Sequence, residues 1–197
     1  MKATDASETL NEISERGGNS AKFIALGIAV LAALLAFVEV TGGNAEQDAQ
    51  KSNLDAASLW AFYQAKTIRQ TTVRTAAEQV ALELPSLPPE RAEAVQKQLQ
   101  AWRATADRYE SEPGPNGGEG RRELMARAKA AEAIRDQALV KDDLFDYASA
   151  ALQLAIVLAS ASVVIGVTWL AYLAGIVGLT GFAFALLGWF APTLITL

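Results

Sequence analysis

After Asp146 the chain carries no Asp, Glu, Lys or Arg, so Tyr147 to Leu197 is one uncharged run that no water-facing surface could hold. Only lipid or other protein can cover it. The overall composition, 51% hydrophobic and 20% charged, is therefore an average of two unlike regions and describes neither. A second apolar run, Phe23 to Val40, contains a single acid, Glu39, and every other charge lies in residues 1–22 or 44–146.

A helix rising 1.5 Å per residue crosses a hydrocarbon core of roughly 30 Å with about 20 apolar residues. The first run predicts a span over 23–41. Its length, and the mixed-charge tail 1–22 before it, favour an uncleaved anchor over a secretory signal peptide ending near Gly43-Asn44-Ala45. The C-terminal run is long enough for two helices, 144–165 and 170–191. They divide at Gly166-Val167-Thr168-Trp169 and end at Pro192, ahead of a tail 192–197. Trp169 and Tyr172 would mark one membrane interface, Trp189 and Phe190 the other. Small residues recur at one-turn spacing: Ala25, Ala29 and Ala33 in the first span, Ala151, Ala155 and Ala159 in the second, Ala174, Gly178, Gly181 and Ala185 in the third. Such faces let helices approach closely, within one protomer or between protomers.

Residues 44–143 are rich in strong helix formers, and breakers cluster only at Pro85–Pro89 and Pro113–Gly120. They cut the segment into helices of about 45–84, 89–110 and 119–141. The middle helix has the cleanest period, with Ala92, Val95, Leu99, Trp102, Ala106 and Tyr109 stepping alternately by three and four, a seam for a coiled-coil-like partner. The first helix is expected to pack through Ala57, Ala61, Ala65 and Ile68, then Val73, Ala77, Val80 and Leu84. The third uses Leu124, Ala128, Ala131, Ile134 and Ala138. The segment must leave and re-enter on one side of the membrane. A long first helix matched by the other two stacked end to end meets that constraint better than four short helices broken near Thr67–Thr72, where no Gly or Pro stands. The expected fold is thus all-α: an integral membrane protein with three transmembrane helices and a long extramembrane helical hairpin or coiled-coil stalk between the first and second.

Several stretches carry a resemblance: Val38-Glu39-Val40, Trp60-Ala61-Phe62-Tyr63-Gln64-Ala65-Lys66, Ile68-Arg69-Gln70, Glu119-Gly120-Arg121-Arg122-Glu123-Leu124 and Phe145-Asp146-Tyr147-Ala148. Over about residues 20–165 the chain resembles a bacterial family of small membrane proteins defined only by a domain of unknown function. The resemblance implies a bacterial inner membrane and a multi-pass protein. It brings no activity, and the last helix has no special motif to match.

Chemistry is narrowed by what is missing. With no Cys and no His, thiol nucleophiles, disulfides, Cys or His zinc sites and Ser-His-Asp catalysis are excluded. No nucleophile, base and orienting group stand at motif spacing, so no enzyme and no cofactor are expected. The mixed charge, −5 in total, offers no basic footprint for nucleic acid. Gly114–Gly120 before Arg121-Arg122 lacks the ending of a phosphate loop and reads as a linker. Asp142, Asp143 and Asp146 are expected to cap the second span rather than bind a cation. Glu39 is a candidate pore or interface residue, with the headgroup region its expected place. Trp60, Phe62, Tyr63, Lys66 and Arg69 form a candidate partner patch, with packing inside the stalk as the plainer role. Basic residues lie near the spans on both sides, Arg16 and Lys22 against Lys51, Lys129, Arg135 and Lys141, and leave the orientation open. The expected role is a self-associating membrane scaffold, in contact with lipid and with a larger membrane complex; the alternative is a homo-oligomeric ion channel using Glu39.

Overall fold

The structure is a computed structural model and describes residues 19–115 and 117–192; most of the two expected tails, Arg16 included, lies outside these residues. The described residues form four α-helices, α1 (Asn19–Glu83), α2 (Pro89–Glu110), α3 (Arg121–Ile165) and α4 (Thr168–Phe190), with a short 3-10 turn at Leu84–Ser86. No strand occurs among the described residues. Three of these helices, α1, α3 and α4, are long and apolar enough to cross a membrane. The chain divides into two compact units, one of residues up to 50 together with those from 136 onward, the other of residues 51–135. Helices α1 and α3 contribute to both.

Two expected boundaries are absent. The span 23–41 and the helix 45–84 are one helix, and so are 119–141 and 144–165. Gly42-Gly43 would each cost a helix roughly 1 kcal/mol relative to Ala. A Cβ at Gly42, however, would stand 3.2 Å from that of Phe145, so the glycine is kept for close packing rather than for a break. Asp142, Asp143 and Asp146 therefore do not cap a helix start: they sit in mid-helix, where the i to i−4 ladder already satisfies the backbone. α1 also continues through Thr67–Thr72, whose hydroxyls donate back to carbonyls one turn earlier at 2.8–2.9 Å.

In the first, apolar unit α1 presents a row that steps by three and four: Ile28, Leu31, Leu35, Val38, Gly42, Ala45 and Ala49, all buried except the half-buried Leu31. This heptad spacing is the signature of a supercoiled seam. Ala25 and Ala29 are half-buried beside it, and Ala33 is exposed, a correction to the expected first-span face. The shift has a simple cause: the larger Ile28, Leu35 and Val38 bury more area than Ala25, Ala29 and Ala33 would. α3 answers with Phe145, Leu152, Ile156 and Ala159. α4 lays its small row, Ala174, Gly178, Gly181, Ala185 and Gly188, against both neighbours. A Cβ on Gly178 would meet Leu31 at 2.9 Å and Ala155 at 3.6 Å, one on Gly181 would meet the Ala148 carbonyl at 3.0 Å, and one on Gly188 the Phe145 ring at 3.2 Å. That row is thus filled within the chain. Trp189 stacks edge-on between Phe37 and Phe145, with centroids 5.1 and 6.0 Å away, instead of standing free at an interface. Between α3 and α4 the chain reverses at Gly166 (φ 75°), where the Gly166 and Val167 amides both donate to the Ser162 carbonyl. A left-handed residue is needed there, and glycine takes it without strain.

In the second, polar unit α2 and the first part of α3 both run antiparallel to α1. Gln70 meets Ala106 and Glu110, Trp60 meets Glu132, and Asn53 meets Arg135. Pro85, Pro88 and Pro89 stand where α1 gives way to α2, and Pro113 to Gly120 where α2 gives way to α3. The inner row on α1 is Ala56, Leu59, Tyr63, Lys66, Gln70, Val73, Ala77 and Val80, continued by Leu84 of the 3-10 turn, again in steps of three and four; Ala56, Gln70 and Ala77 are buried and the others half-buried. Ala57, Ala61, Ala65 and Ile68 point outward, with Ile68 67% exposed, and so does Ile134 on α3. Periodicity alone did not choose the face. The polar members of the inner row are covered because each finds a partner.

Candidate functional site

The most highly organised polar cluster forms where α2 ends and α3 begins. Gln70 is only 2% exposed although its side chain is an amide. Its Nε2 donates to the Ala106 carbonyl at 2.9 Å and to Glu110 Oε2 at 3.0 Å, and its Oε1 accepts from Arg121 Nη1 at 2.6 Å. The same Arg121 donates from Nη1 to Glu110 at 2.9 Å, from Nε to Thr67 Oγ1 at 2.9 Å and from Nη2 to Tyr63 Oη at 3.0 Å. One planar guanidinium, with its fixed fork of donors, therefore ties the start of α3 to α1 and to the last residue of α2. Lys66 pairs with Glu112 at 3.2 Å, and Arg122 with Glu110 at 3.3 Å.

The loop is held from the other side by Glu123, in the first turn of α3. It accepts from Ser111 Oγ at 2.5 Å and from the Glu112 amide at 3.2 Å. Its carboxyl is held below the ordinary range, first by the Ser111 hydrogen bond. That of Glu110 is lowered as well, chiefly by Gln70, with the Arg122 hydrogen bond and both arginine charges adding to it. Gly117 and Gly118 take positive φ of 87° and 81°, and Gly118 lies so near the Glu112 carbonyl that a Cβ would clash at 2.5 Å. The loop reading of this segment stands on those contacts. Arg121 and Arg122 face carboxylates of the chain itself, not an open anion cradle.

Each acid of this arrangement has a partner: Glu110 meets Arg121, Arg122 and Gln70, Glu112 meets Lys66, and Glu123 meets Ser111. Among the described residues no group of His, Cys, Asp and Glu is arranged to hold a metal ion. Gln70, Glu110 and Arg121 were not singled out from the sequence as a unit. Their spacing is long-range, and the only local hint is a polar residue at a seam position of α1.

The candidate partner patch splits into two faces. Trp60, Tyr63 and Lys66 turn inward: Trp60 Nε1 donates to Glu132 at 2.8 Å, its ring packs edge-on to Tyr63, and Lys66 reaches Glu112. Phe62, 60% exposed, and Arg69 turn outward. Phe62 lines a shallow groove of about 650 Å³ with Leu59, Ala131 and Ile134. A longer outward row runs along α1: Leu54, Ala57, Ala61, Ala65, Ile68, Thr72, Thr75, Gln79 and Leu82, all exposed and none charged.

In the apolar unit Glu39 is exposed, and its Oε1 accepts from Gln153 Nε2 at 3.4 Å; that amide also reaches Ser149 Oγ at 3.3 Å. Beside Glu46, Asp143 and Asp146, the carboxyl of Asp142 is pushed up, first by burial and then by the neighbouring negative charges. In comparisons with known proteins, the family described as a domain of unknown function (DUF4337) matches residues 20–191. No curated protein and no solved structure matches.

Proposed function

The chain belongs to the DUF4337 family, a domain of unknown function, and from its own surfaces we propose that it is a non-enzymatic, self-associating scaffold of the bacterial inner membrane. Helices α1, α3 and α4 cross the bilayer, and the polar unit serves as the platform on which copies meet and a larger membrane complex docks. The observation that carries this reading is the outward row of α1 from Leu54 to Leu82. A helix that shows water one uncharged row at heptad spacing, besides the seam it already buries, has the pattern of a strand awaiting another strand. Leu54, Ile68 and Leu82 stand at the same heptad position, with exposures of 70, 67 and 82%. Among the described residues α2 and the first part of α3 pack on the other side of α1 and leave this row exposed.

Native mass measurement of the full chain in detergent tests the reading. An oligomer is expected, and Ile68→Glu should lower its mass or its association constant. A wild-type monomer at all concentrations would remove the proposal. A second reading, ion conduction through a ring of protomers with Glu39 on the pathway, draws on the exposure of Glu39 beside Gln153. Unchanged single-channel conductance in Glu39→Gln would end it.

A further inference from the structure

Glu39 and Gln153 belong to the apolar unit, and both lie in runs of residues suited to lipid. In an α-helix each side chain leans toward the helix N-terminus. Glu39 thus leans back along the apolar run toward Ala36, and its carboxylate meets Gln153, seven residues into the uncharged part of α3, rather than water beyond Thr41. A carboxylate left on a lipid-facing surface at that level is costly and calls for further donors. Among the described residues it has one long hydrogen bond, 3.4 Å. The Gln153 amide makes only that one and the 3.3 Å contact to Ser149. Two turns farther along the same face of α3, the Ser160 hydroxyl is buried and makes no hydrogen bond among the described residues.

We infer that this face of α1 and α3 is the intramembrane contact with a second copy of the chain, with Glu39 accepting from the partner's Gln153 and Gln153 donating to the partner's Glu39. The inference rests on the self-association proposed above and names where it occurs in the bilayer. Two features single out a second copy as the occupant. The face carries donor and acceptor together, so a two-fold axis matches each to its complement, as an isologous contact requires. Copies inserted in the same orientation can be related only by an axis along the membrane normal, which preserves depth. Glu39 and Gln153, in contact within one chain, already share a depth. The rest of the face permits the approach: Ala25, Ala29, Ala32, Ala36 and Gly43 lie in the row of Glu39, small and incompletely covered by their own chain.

The protein has no cysteine, so a single one is a clean probe. In native membranes Ala36→Cys should form a disulfide-linked dimer on mild oxidation, whereas Leu179→Cys, exposed on α4, should not. Adding Glu39→Leu to Ala36→Cys should lower the yield of the cross-link. In detergent, Glu39→Leu alone should weaken association about tenfold, as expected for losing two modest interhelical hydrogen bonds, while Glu39→Gln, which keeps an acceptor, should stay near wild type. No cross-link at position 36 in a chain that native mass shows to be oligomeric overturns this contact and leaves self-association standing. A wild-type monomer overturns both. A cross-link that persists unchanged with Glu39→Leu overturns the role of Glu39.

Discussion

The two units are built on the same long helices yet are specified by opposite means. In the apolar unit the decisive residues are the smallest ones: Gly178, Gly181 and Gly188 let α4 lie directly on Leu31, Ala148 and Phe145. In the polar unit they are among the most polar: Arg121, Gln70 and Glu110 join three helices through matched donors and acceptors. The contrast follows from the surroundings. If hydrocarbon covers the apolar unit, as proposed above, burial of apolar area distinguishes no packing from another, and close fit decides. In water, apolar rows exist on several faces of an alanine-rich helix, and a polar group that is satisfied in only one alignment selects it.

The contrast breaks most severely at a glycine. Gly181→Leu forces a side chain into the Ala148 carbonyl and Ala151, 3.0 and 3.1 Å from where its Cβ would be. It should cost about 3 kcal/mol or more, seen as loss of the cooperative melt of the protein in detergent. Next comes the node. Arg121→Met leaves Glu110 and Gln70 without their shared partner. Roughly 3–5 kcal/mol is lost when a fully buried pair is broken, but the Arg121 and Glu110 side chains remain 21 and 29% exposed, so about 2 kcal/mol is expected. Hydrogen exchange should show the loss in residues 51–135 and little change in α4.

Acid should separate the units more gently. The Glu110 carboxyl is lowered from 4.5, so its stabilising contribution is full above that pH and disappears as pH falls through the depressed value. Exchange protection around α2 should fall in that window, and Glu110→Gln should reduce this dependence, the part due to Glu123 remaining. Asp142 carries the opposite sign. Its carboxyl is raised from 3.8, so the folded chain holds the proton more tightly than the unfolded one, and stability is lost as pH rises through that range. Asp142→Asn should therefore raise the melting temperature at neutral pH, by an amount worth about 0.5 kcal/mol, and the gain should vanish in strong acid. The smallest effect is expected at Arg69, exposed on the outer face: Arg69→Ala should change stability by less than about 0.5 kcal/mol, and a larger loss would mean that the two faces of the candidate patch are not separate.

How far residues alone could lead differs between the units in the same way. Three runs apolar enough to cross a membrane are legible from composition, because avoiding water depends on each residue's own chemistry. So are the breaks near Pro85 to Pro89 and Pro113 to Gly120, since proline and left-handed glycine act on their own backbone. The helix ends expected at Gly42-Gly43 and at Asp142-Asp143 are absent, for glycine and aspartate only permit an end. Phe145 packing onto Gly42, from a hundred residues away along the chain, removes any need for one there.

The face of α1 in the polar unit is the clearest case of what sequence could not supply. Ala57, Ala61, Ala65 and Ile68 make the more apolar row, and pattern reading prefers them; the folded chain buries Tyr63, Lys66 and Gln70 instead. Their partners, Glu110, Glu112 and Arg121, come from α2, from α3 and from the loop between them, farther along the chain. The sequence by itself determined that this chain is helical, that three stretches suit a membrane and where α1 and α2 must stop, since those depend on local chemistry and chain geometry. Tertiary structure alone decided which row of α1 is inside and which is left exposed. That choice is a difference between two near-equal burials, and it turns on polar groups whose satisfaction exists only once distant helices have met.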